Sequence, residues 1–233
     1  MVPHSPGFPL YATGSTDAAR ALIVLQEGFG VNAHIRAVAD RYAEDGYFVV
    51  APHLYHRSAS PEVSYDDVDA AIALMATLTR EGLTNDLNAT TDFLAGLGFT
   101  PGAIGVVGFC MGGSVALFAA TLATVGAAVT YYGGGIRGAR MGLPPLLEVA
   151  ESLISPWLGL YGDLDHGIAI SDVEELRALT DSLSVVSEVV RYPNAGHGFN
   201  CDARPNAYNP DAARDAGQRT REFLDAQLVD VRL

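Results

Sequence analysis

Residues 105–118 read GVVGFCMGGSVALF. A short apolar run leads into Gly-Phe-Cys-Met-Gly, and a segment of helical composition follows at once. This arrangement predicts a strand, a sharp turn with Cys110 at its tip, and a helix whose N-terminus points at the sulfur. It matches the nucleophile turn G-x-S-x-G with Cys in place of Ser, because Gly108 and Gly112 leave room for a crowded backbone. A helix N-terminus favours the thiolate, so the turn predicts that Cys110 is a nucleophile.

Two other interpretations of this turn compete with the nucleophile. A Cys beside a strand is often only a small buried hydrophobic residue. A Gly-rich turn from strand to helix holds a dinucleotide pyrophosphate in other proteins. That use requires Gly-x-Gly-x-x-Gly, and this turn does not contain it. We therefore favour the nucleophile and expect no cofactor.

Apolar runs rich in branched residues alternate with segments of helical period on both sides of the turn. This alternation predicts an α/β fold with a mostly parallel sheet and helices on both of its faces. We expect one domain over 1–233, and the longest insertion, 137–155, is too short for a large lid. The predicted strands cover 21–26, 47–51, 103–109, 127–132, 156–161 and 187–192, and the predicted helices cover 32–45, 65–80, 85–97, 112–124, 171–182 and 211–228.

Two later strands are followed by the side chains that a cysteine nucleophile needs. The run at 156–161 leads into GDLDHG, which offers Asp163 and Asp165, and the run at 187–192 leads to His197. The order nucleophile, acid, base, each beyond a strand, is that of the α/β-hydrolase fold. Because the carboxyl ends of parallel strands meet at one sheet edge, we expect the three groups to converge there. The spacing alone leaves both aspartates open as the acid.

The composition argues against several classes of function. The chain has 14 basic and 27 acidic residues and a net charge of −13, which disfavours binding to nucleic acid or to a membrane surface. All its cations are Arg, so Schiff-base chemistry and a P-loop lysine are excluded. Two cysteines are too few for a disulfide framework or a Cys-rich zinc site, and we expect no metal. Without a secretory or membrane-spanning pattern, we expect a cytoplasmic protein, monomeric or weakly homodimeric.

Six short motifs lie between residues 26 and 199, and the resemblance that they carry runs from about Leu22 to Leu228, nearly the whole chain. They are QEGFG (26–30), APHLY (51–55), GFCMGG (108–113), YYGGG (131–135), GDLDHGI (162–168) and AGHGF (195–199). Together they resemble the motifs of the dienelactone hydrolases, also called carboxymethylenebutenolidases. The resemblance implies an α/β-hydrolase fold and a cofactor-free cysteine hydrolase that cleaves a lactone or small ester through a thioester.

The resemblance also implies roles for single residues. It selects Asp165 rather than Asp163 as the acid, because the family acid is the fourth residue of the Gly-x-x-Asp turn. It places Glu27 near the resting thiol and gives it a part in activating that thiol, whereas the residue alone reads as a solvated carboxylate at a strand end. The implied set is Cys110 as nucleophile, His197 as base, Asp165 as orienting acid, Glu27 as thiol activator, and the N–H groups of Gly28 and Met111 as oxyanion donors.

Two positions depart from the family pattern. In the family two arginines hold the substrate carboxylate, and the matching positions here are Val68 and Cys201. Arg57 and Arg204 are the candidate replacements. Because a buried carboxylate needs a cation, we expect small neutral esters or lactones to be preferred over a dienelactone carboxylate. The residues expected to line the substrate pocket are Phe29, Tyr131, Phe199 and Arg204.

Other functions fit parts of the sequence. A general carboxylesterase or cutinase-like hydrolase would share the nucleophile without dienelactone activity. A ligand-binding protein could keep the fold without turnover, but such a protein gains nothing from a strained nucleophile turn. A redox role for the two cysteines is weaker, because no Cys-x-x-Cys is present.

Overall fold

The computed structural model of the protein describes residues 6–58 and 62–231. Its strands belong to one seven-stranded sheet, and every neighbouring pair is parallel except the first, which is antiparallel. The predicted α/β fold with a mostly parallel sheet is therefore confirmed. The strands are β1 Leu10–Thr13, β2 Ala21–Leu25, β3 Phe48–Pro52, β4 Ile104–Phe109, β5 Ala127–Tyr131, β6 Trp157–Gly162 and β7 Ser187–Tyr192, in the sheet order β1-β3-β2-β4-β5-β6-β7.

Helices connect the parallel strands. The helix predicted at 65–80 covers only 68–75. The helix predicted at 85–97 begins earlier, at Arg80, where the Thr79 side chain caps it by accepting a hydrogen bond from Gly82 N. No helix in the described ranges has both the length and the apolar composition needed to cross a bilayer. The helices are α1 Ala33–Glu44, α2 Val68–Met75, α3 Arg80–Gly96, α4 Met111–Ala119, α5 Leu146–Ala150, α6 Ile170–Asp181 and α7 Pro210–Gln227.

The core lies on both faces of the sheet. Strands β2 to β6 are buried along their whole length, which explains why their sequences have no alternating polar face. Helices α1 and α7 pack on one face, while α3, α4, α5 and α6 contribute to the core on the other. Every residue of α4 is buried, so the helix that follows Cys110 is held at the centre of the molecule.

A chain of hydrogen bonds fixes the start of α4 against two neighbouring strands. Trp157 in β6 is fully buried, and its Nε1 donates to Thr130 Oγ1 over 2.9 Å. That hydroxyl donates in turn to the carbonyl of Gly113, in the first turn of α4, over 2.7 Å. The backbone at the nucleophile turn is therefore braced from β5 and β6.

Candidate active site

Cys110 lies in a strained turn between β4 and α4. Its φ of 53° and ψ of −115° are unusual for a residue with a side chain and cost about 1–3 kcal/mol. The flanking glycines are required sterically, because a Cβ on Gly108 would lie 1.9 Å from Gly112 O and one on Gly112 would lie 2.5 Å from Leu25 O. Cys110 is half-buried at the tip of this turn.

His197 is held by Asp165. Asp165 Oδ2 lies 2.6 Å from His197 Nδ1, and its Oδ1 accepts a hydrogen bond from Gly167 N over 2.8 Å. The Asp165 side chain is buried, so its orientation is fixed. An Nδ1–H that donates to this carboxylate leaves Nε2 of His197 available for chemistry.

The electrostatics link His197 to Cys110. Burial by itself would lower the pKa of His197, but negative charge on Cys110 and hydrogen bonds with Asp165 and Cys110 outweigh it and raise that pKa to about 10. Both residues line the same cavity. This environment favours a protonated His197 imidazole beside the sulfur at neutral pH.

Asp163 has different partners. Its two carboxylate oxygens accept from Nε and Nη2 of Arg191, each over 2.7 Å, and Arg191 Nη1 donates to Glu174 over 2.6 Å. These contacts tie the turn after β6 to β7 and α6. The structure therefore separates the two aspartates that the spacing left open, with Asp165 against the imidazole and Asp163 in an ion-pair network.

Glu27 is fully buried beside the nucleophile turn. Its Oε1 lies 3.4 Å from the Tyr132 hydroxyl and its Oε2 lies 3.4 Å from the Tyr65 hydroxyl, to which Cys201 Sγ also donates over 3.4 Å. In the part of the chain that the structure describes, no cation pairs with this carboxylate. Burial together with the charge of Glu27 raises the pKa of Cys201 to about 11, so Cys201 stays a neutral thiol. Glu27 is therefore a buried carboxylate with two long contacts to phenol hydroxyls. It is not the solvated carboxylate that its position at a strand end alone suggests.

One tyrosine links the two residues whose backbone amides are implied as oxyanion donors. Met111 directly follows Cys110 at the start of α4, and Gly28 follows Glu27. The Tyr55 hydroxyl lies 3.1 Å from Gly28 O and 3.2 Å from Met111 Sδ. Within 6–58 and 62–231, no group accepts a hydrogen bond from the N–H of Gly28 or of Met111. Both N–H groups are therefore available to a ligand.

A cavity of about 1050 Å³ opens beside Cys110, Asp165 and His197. It is lined by α2 and by the segments around residues 140, 165 and 207, and most of its wall is apolar. Among the described residues, no group of three or more His, Cys, Asp and Glu side chains is arranged to hold a metal ion. The large apolar side chains of the wall are Ile72, Met75, Met111, Met141 and Leu164.

The predicted pocket residues do not line this cavity. Tyr131 and Phe199 are buried in the core that α1 and α7 cover, where the Tyr131 hydroxyl lies 2.7 Å from Thr220 Oγ1. Phe29 packs edge-on against Tyr65, and the Arg204 guanidinium lies 5.6 Å from the centre of the Phe29 ring and 5.4 Å from that of Tyr65. Short motifs do not tell on which face of a strand end a side chain lies, and the pocket role of these four residues stays a prediction.

Two residues near the site lie outside the predicted sets of catalytic and pocket residues. Tyr132 has a positive φ of 41°, and its ring centre lies 5.1 Å from that of His197. Arg140 is exposed and lines the cavity. The motif YYGGG was a usable signal for Tyr132, whereas Arg140 lies in the insertion at 137–155, which carries no motif. Arg57, an alternative cation, is bound to both oxygens of Asp86 over 2.8 and 2.7 Å.

Comparison with known proteins gives a consistent result. A sequence profile described as "Dienelactone hydrolase family" matches residues 8–228. The chain is 34% identical over 212 residues to a Synechocystis protein named "Putative carboxymethylenebutenolidase", covering 89% of this chain and 86% of that one. It is 32% identical to the carboxymethylenebutenolidase of Rhodococcus opacus, covering 94% and 86% of the two chains. The crystal structure of a "Putative Dienelactone Hydrolase" from Klebsiella pneumoniae superposes with a TM-score of 0.84 at 30% identity, covering 94% of this chain and 92% of that one.

Proposed function

Because the chain belongs to the dienelactone hydrolase family, we propose that this hydrolase cleaves a lactone or small carboxylic ester through a thioester on Cys110. The observation that carries the proposal is the arrangement around the sulfur. Cys110 lies in a strained turn at the N-terminus of α4, and its charge is coupled to a histidine whose pKa is about 10. A thiolate beside an imidazolium is the reactive form of a cysteine nucleophile.

In the first half of the reaction, the Cys110 thiolate attacks the substrate carbonyl carbon. The carbonyl oxygen becomes an oxyanion, which accepts hydrogen bonds from the N–H groups of Gly28 and Met111. The C–O bond to the leaving oxygen then breaks, and the His197 imidazolium gives its proton to that oxygen. With a lactone the leaving oxygen stays attached to the acyl group, because the ring opens.

In the second half, His197 acts as the general base. It takes a proton from a water molecule, whose oxygen attacks the thioester carbonyl, and the Cys110 thiolate leaves as the carboxylic acid forms. Asp165 stabilises the imidazolium that results, so the thiolate and imidazolium of the free enzyme are restored. Each of the two oxyanion donors is expected to be worth about 2.7–4 kcal/mol of barrier.

Glu27 is the proposed activator of Cys110 when the sulfur carries a proton: it would accept that proton and leave the thiolate with which the reaction starts. Its support is the family resemblance, together with burial beside the nucleophile turn and the lack of a described cationic partner. Its phenol contacts with Tyr65 and Tyr132 would hold it in position when it is charged.

The mechanism is tested by trapping the acyl group. We expect intact-protein mass spectrometry of wild-type enzyme, acid-quenched during turnover of a p-nitrophenyl ester, to show one acyl adduct that hydroxylamine removes. Cys110→Ala should show neither the adduct nor turnover. Cys201→Ser is the matched control and should retain the adduct, because Cys201 is buried and neutral. Full activity of Cys110→Ala would overturn the mechanism, and an unreactive wild-type protein that still binds esters would favour the ligand-binding alternative.

The size of the cavity favours a second candidate, a general carboxylesterase without dienelactone activity. Pockets of about 300–1,000 Å³ already accommodate drug-sized ligands, and this one has about 1050 Å³. Values of kcat/KM on p-nitrophenyl esters of increasing chain length, alongside an unsaturated lactone acid, distinguish the two. A steady rise with chain length and no lactone turnover would favour the general esterase.

A further inference from the structure

Arg140 differs from the other described arginines in its surroundings. Each of the others pairs with a carboxylate or lies over an aromatic ring. Arg137, three residues earlier, donates to Asp172 over 2.8 Å and also pairs with Glu175. Arg140 has no such partner in the part of the chain that the structure describes. In a protein with a net charge of −13, this leaves one guanidinium available for a ligand.

The backbone presents Arg140 to the cavity on a tight turn. Arg140 and Leu143 exchange backbone hydrogen bonds of 3.1 and 2.8 Å, and the two residues between them, Met141 and Gly142, both have positive φ. Two central residues of positive φ are typical of a type I′ turn, which joins two short antiparallel segments. A Cβ on Gly142 would lie 2.6 Å from Arg80 N, so the turn packs directly against the start of α3. Arg140 and Met141 are therefore anchored where they line the cavity.

Met141 adds an observation of its own. Its φ of 55° is unfavourable for a residue with a side chain, and the turn could carry Gly, Asn or Asp at lower cost. The Met141 side chain lines the cavity. Backbone strain that delivers a side chain to a cavity is typical of ligand-binding segments.

The Arg140 side chain lies along two glycines near the nucleophile turn. A Cβ on Gly134 would lie 3.4 Å from Arg140 Nη1, and a Cβ on Gly135 would lie 3.4 Å from Arg140 Cδ. Gly134 also lines the cavity, and its carbonyl accepts a hydrogen bond from Ser114 in α4 over 2.7 Å. Among the described residues that line the cavity, Asp165 and His197 are also able to carry charge, and they pair with each other. Arg140 is thus the one permanent cation of the described cavity wall without a carboxylate partner.

We propose that Arg140 binds an anionic group of the substrate, and that the substrate is a bulky ester or lactone with an apolar body and a carboxylate. This inference rests on the proposed function, because it uses the cavity beside Cys110. The apolar body would pack on α2 and Leu164, and the carboxylate would accept hydrogen bonds from the guanidinium. The expected preference for neutral substrates is thereby reversed, since it considered cations only at Val68, Cys201, Arg57 and Arg204.

The test compares two substrates that differ in one charge. They are the mono-p-nitrophenyl ester of suberic acid, which has a free terminal carboxylate, and the same compound with that carboxylate methylated. We expect wild-type kcat/KM to favour the free acid by about tenfold at low salt, and by less at high salt because exposed charges are screened. Arg140→Gln should abolish this ratio, and Arg140→Lys should retain part of it. Arg137→Gln is the matched control from the same insertion and should keep the wild-type ratio.

The outcomes separate the inference from the proposed function. If wild-type enzyme hydrolyses both esters through Cys110 with an equal kcat/KM, or if Arg140→Gln keeps the preference for the acid, the hydrolase stands and the role of Arg140 is wrong. If neither ester is hydrolysed, calorimetric titration with monomethyl suberate decides independently. Binding that weakens about tenfold in Arg140→Gln and is unchanged in Arg137→Gln supports the anion site, and equal binding by all three proteins overturns it.

Discussion

Asp163 and Asp165 are two residues apart in the chain but have different partners. Asp165 holds the imidazole of His197, whereas Asp163 forms a two-oxygen ion pair with Arg191. We expect Asp165→Asn to lower kcat by about 10³- to 10⁴-fold, because an amide at this position holds the wrong imidazole tautomer. Asp163→Asn should change kcat only a few-fold and should instead lower the free energy of unfolding. Steady-state kinetics and urea titration of both variants test this, and the opposite ranking would contradict the assignment of the acid.

The pKa of His197 depends on the charge of Cys110. We expect the imidazolium to persist up to a pH of about 10 in the wild-type enzyme, measured by NMR of its ring nitrogens. In Cys110→Ala the midpoint should fall, because the largest contribution that raises this pKa is removed while Asp165 remains. Cys201→Ser should leave the midpoint in place. A titration that is the same in Cys110→Ala and wild type would show that the two groups are not coupled.

The same shift makes a contribution to stability that depends on pH. The pKa of about 10 in the folded state lies above the ordinary histidine value of about 6.5. Protonation of His197 therefore stabilises the native state fully below a pH of about 6.5, and this contribution declines as the pH rises and is lost above about 10. Urea unfolding of wild type and His197→Gln should show a difference that shrinks over this window. If the difference in unfolding free energy between the two proteins grew with pH, the pKa of His197 would not be raised in the folded state.

For single residues, the sequence predicted position best where the residue follows the end of a strand. Cys110, Asp165 and His197 each lie beyond the carboxyl end of a parallel strand, so their shared edge could be predicted from order alone. Arg140 could not, because its position depends on the turn at Met141 and on packing against the distant helix α3. Glycine spacing and strand order are local signals, while the path of an insertion is set by long-range contacts.

The connection from β4 to α4 has no room for an additional side-chain atom at Gly108. A Cβ on Gly108 would overlap Gly112 O at 1.9 Å, so we expect Gly108→Ala to cost about 3 kcal/mol or more, at the upper end of overpacking effects. Gly96→Ala is the matched control, because Gly96 is the exposed last residue of α3 and a Cβ there meets nothing within 4 Å. It should be neutral or stabilise by about 0.5–1 kcal/mol. Chemical denaturation measures both, and equal effects would contradict the packing.

The sequence did not predict the two short elements β1 and α5, whose structure depends on contacts with distant segments. The strand β1 has only four residues, all half-buried, and is defined by its antiparallel pairing with β3. The helix α5 has five residues inside the insertion, too few for a helical period to be recognised. The long buried strands, in contrast, were predicted because their apolar runs of branched residues are themselves the signal.

The whole molecule carries a net charge of −13, with 27 acidic residues against 14 basic ones. Exposed ion pairs such as Arg36–Glu62 are worth only about 0–1 kcal/mol each, so mutual repulsion of carboxylates should be the larger effect of charge. We expect the Tm at neutral pH to rise when sodium chloride shortens the Debye length from about 30 Å to about 3 Å. The rise should vanish near the pI of about 4.7. A Tm that falls with salt at neutral pH would show that the ion pairs dominate.

The bracing of α4 by Trp157 has a spectroscopic consequence. Trp157 is the one tryptophan in the chain, it is fully buried, and it lies two hydrogen bonds from the first turn of α4 through Thr130. Ultraviolet excitation that is selective for tryptophan therefore probes a single side chain. The indole N–H of that side chain is linked through hydrogen bonds to the backbone close to Cys110. Quenching, anisotropy and emission maximum then report on one place in the molecule, so the protein carries its own label for testing the proposed acylation in a stopped-flow cell.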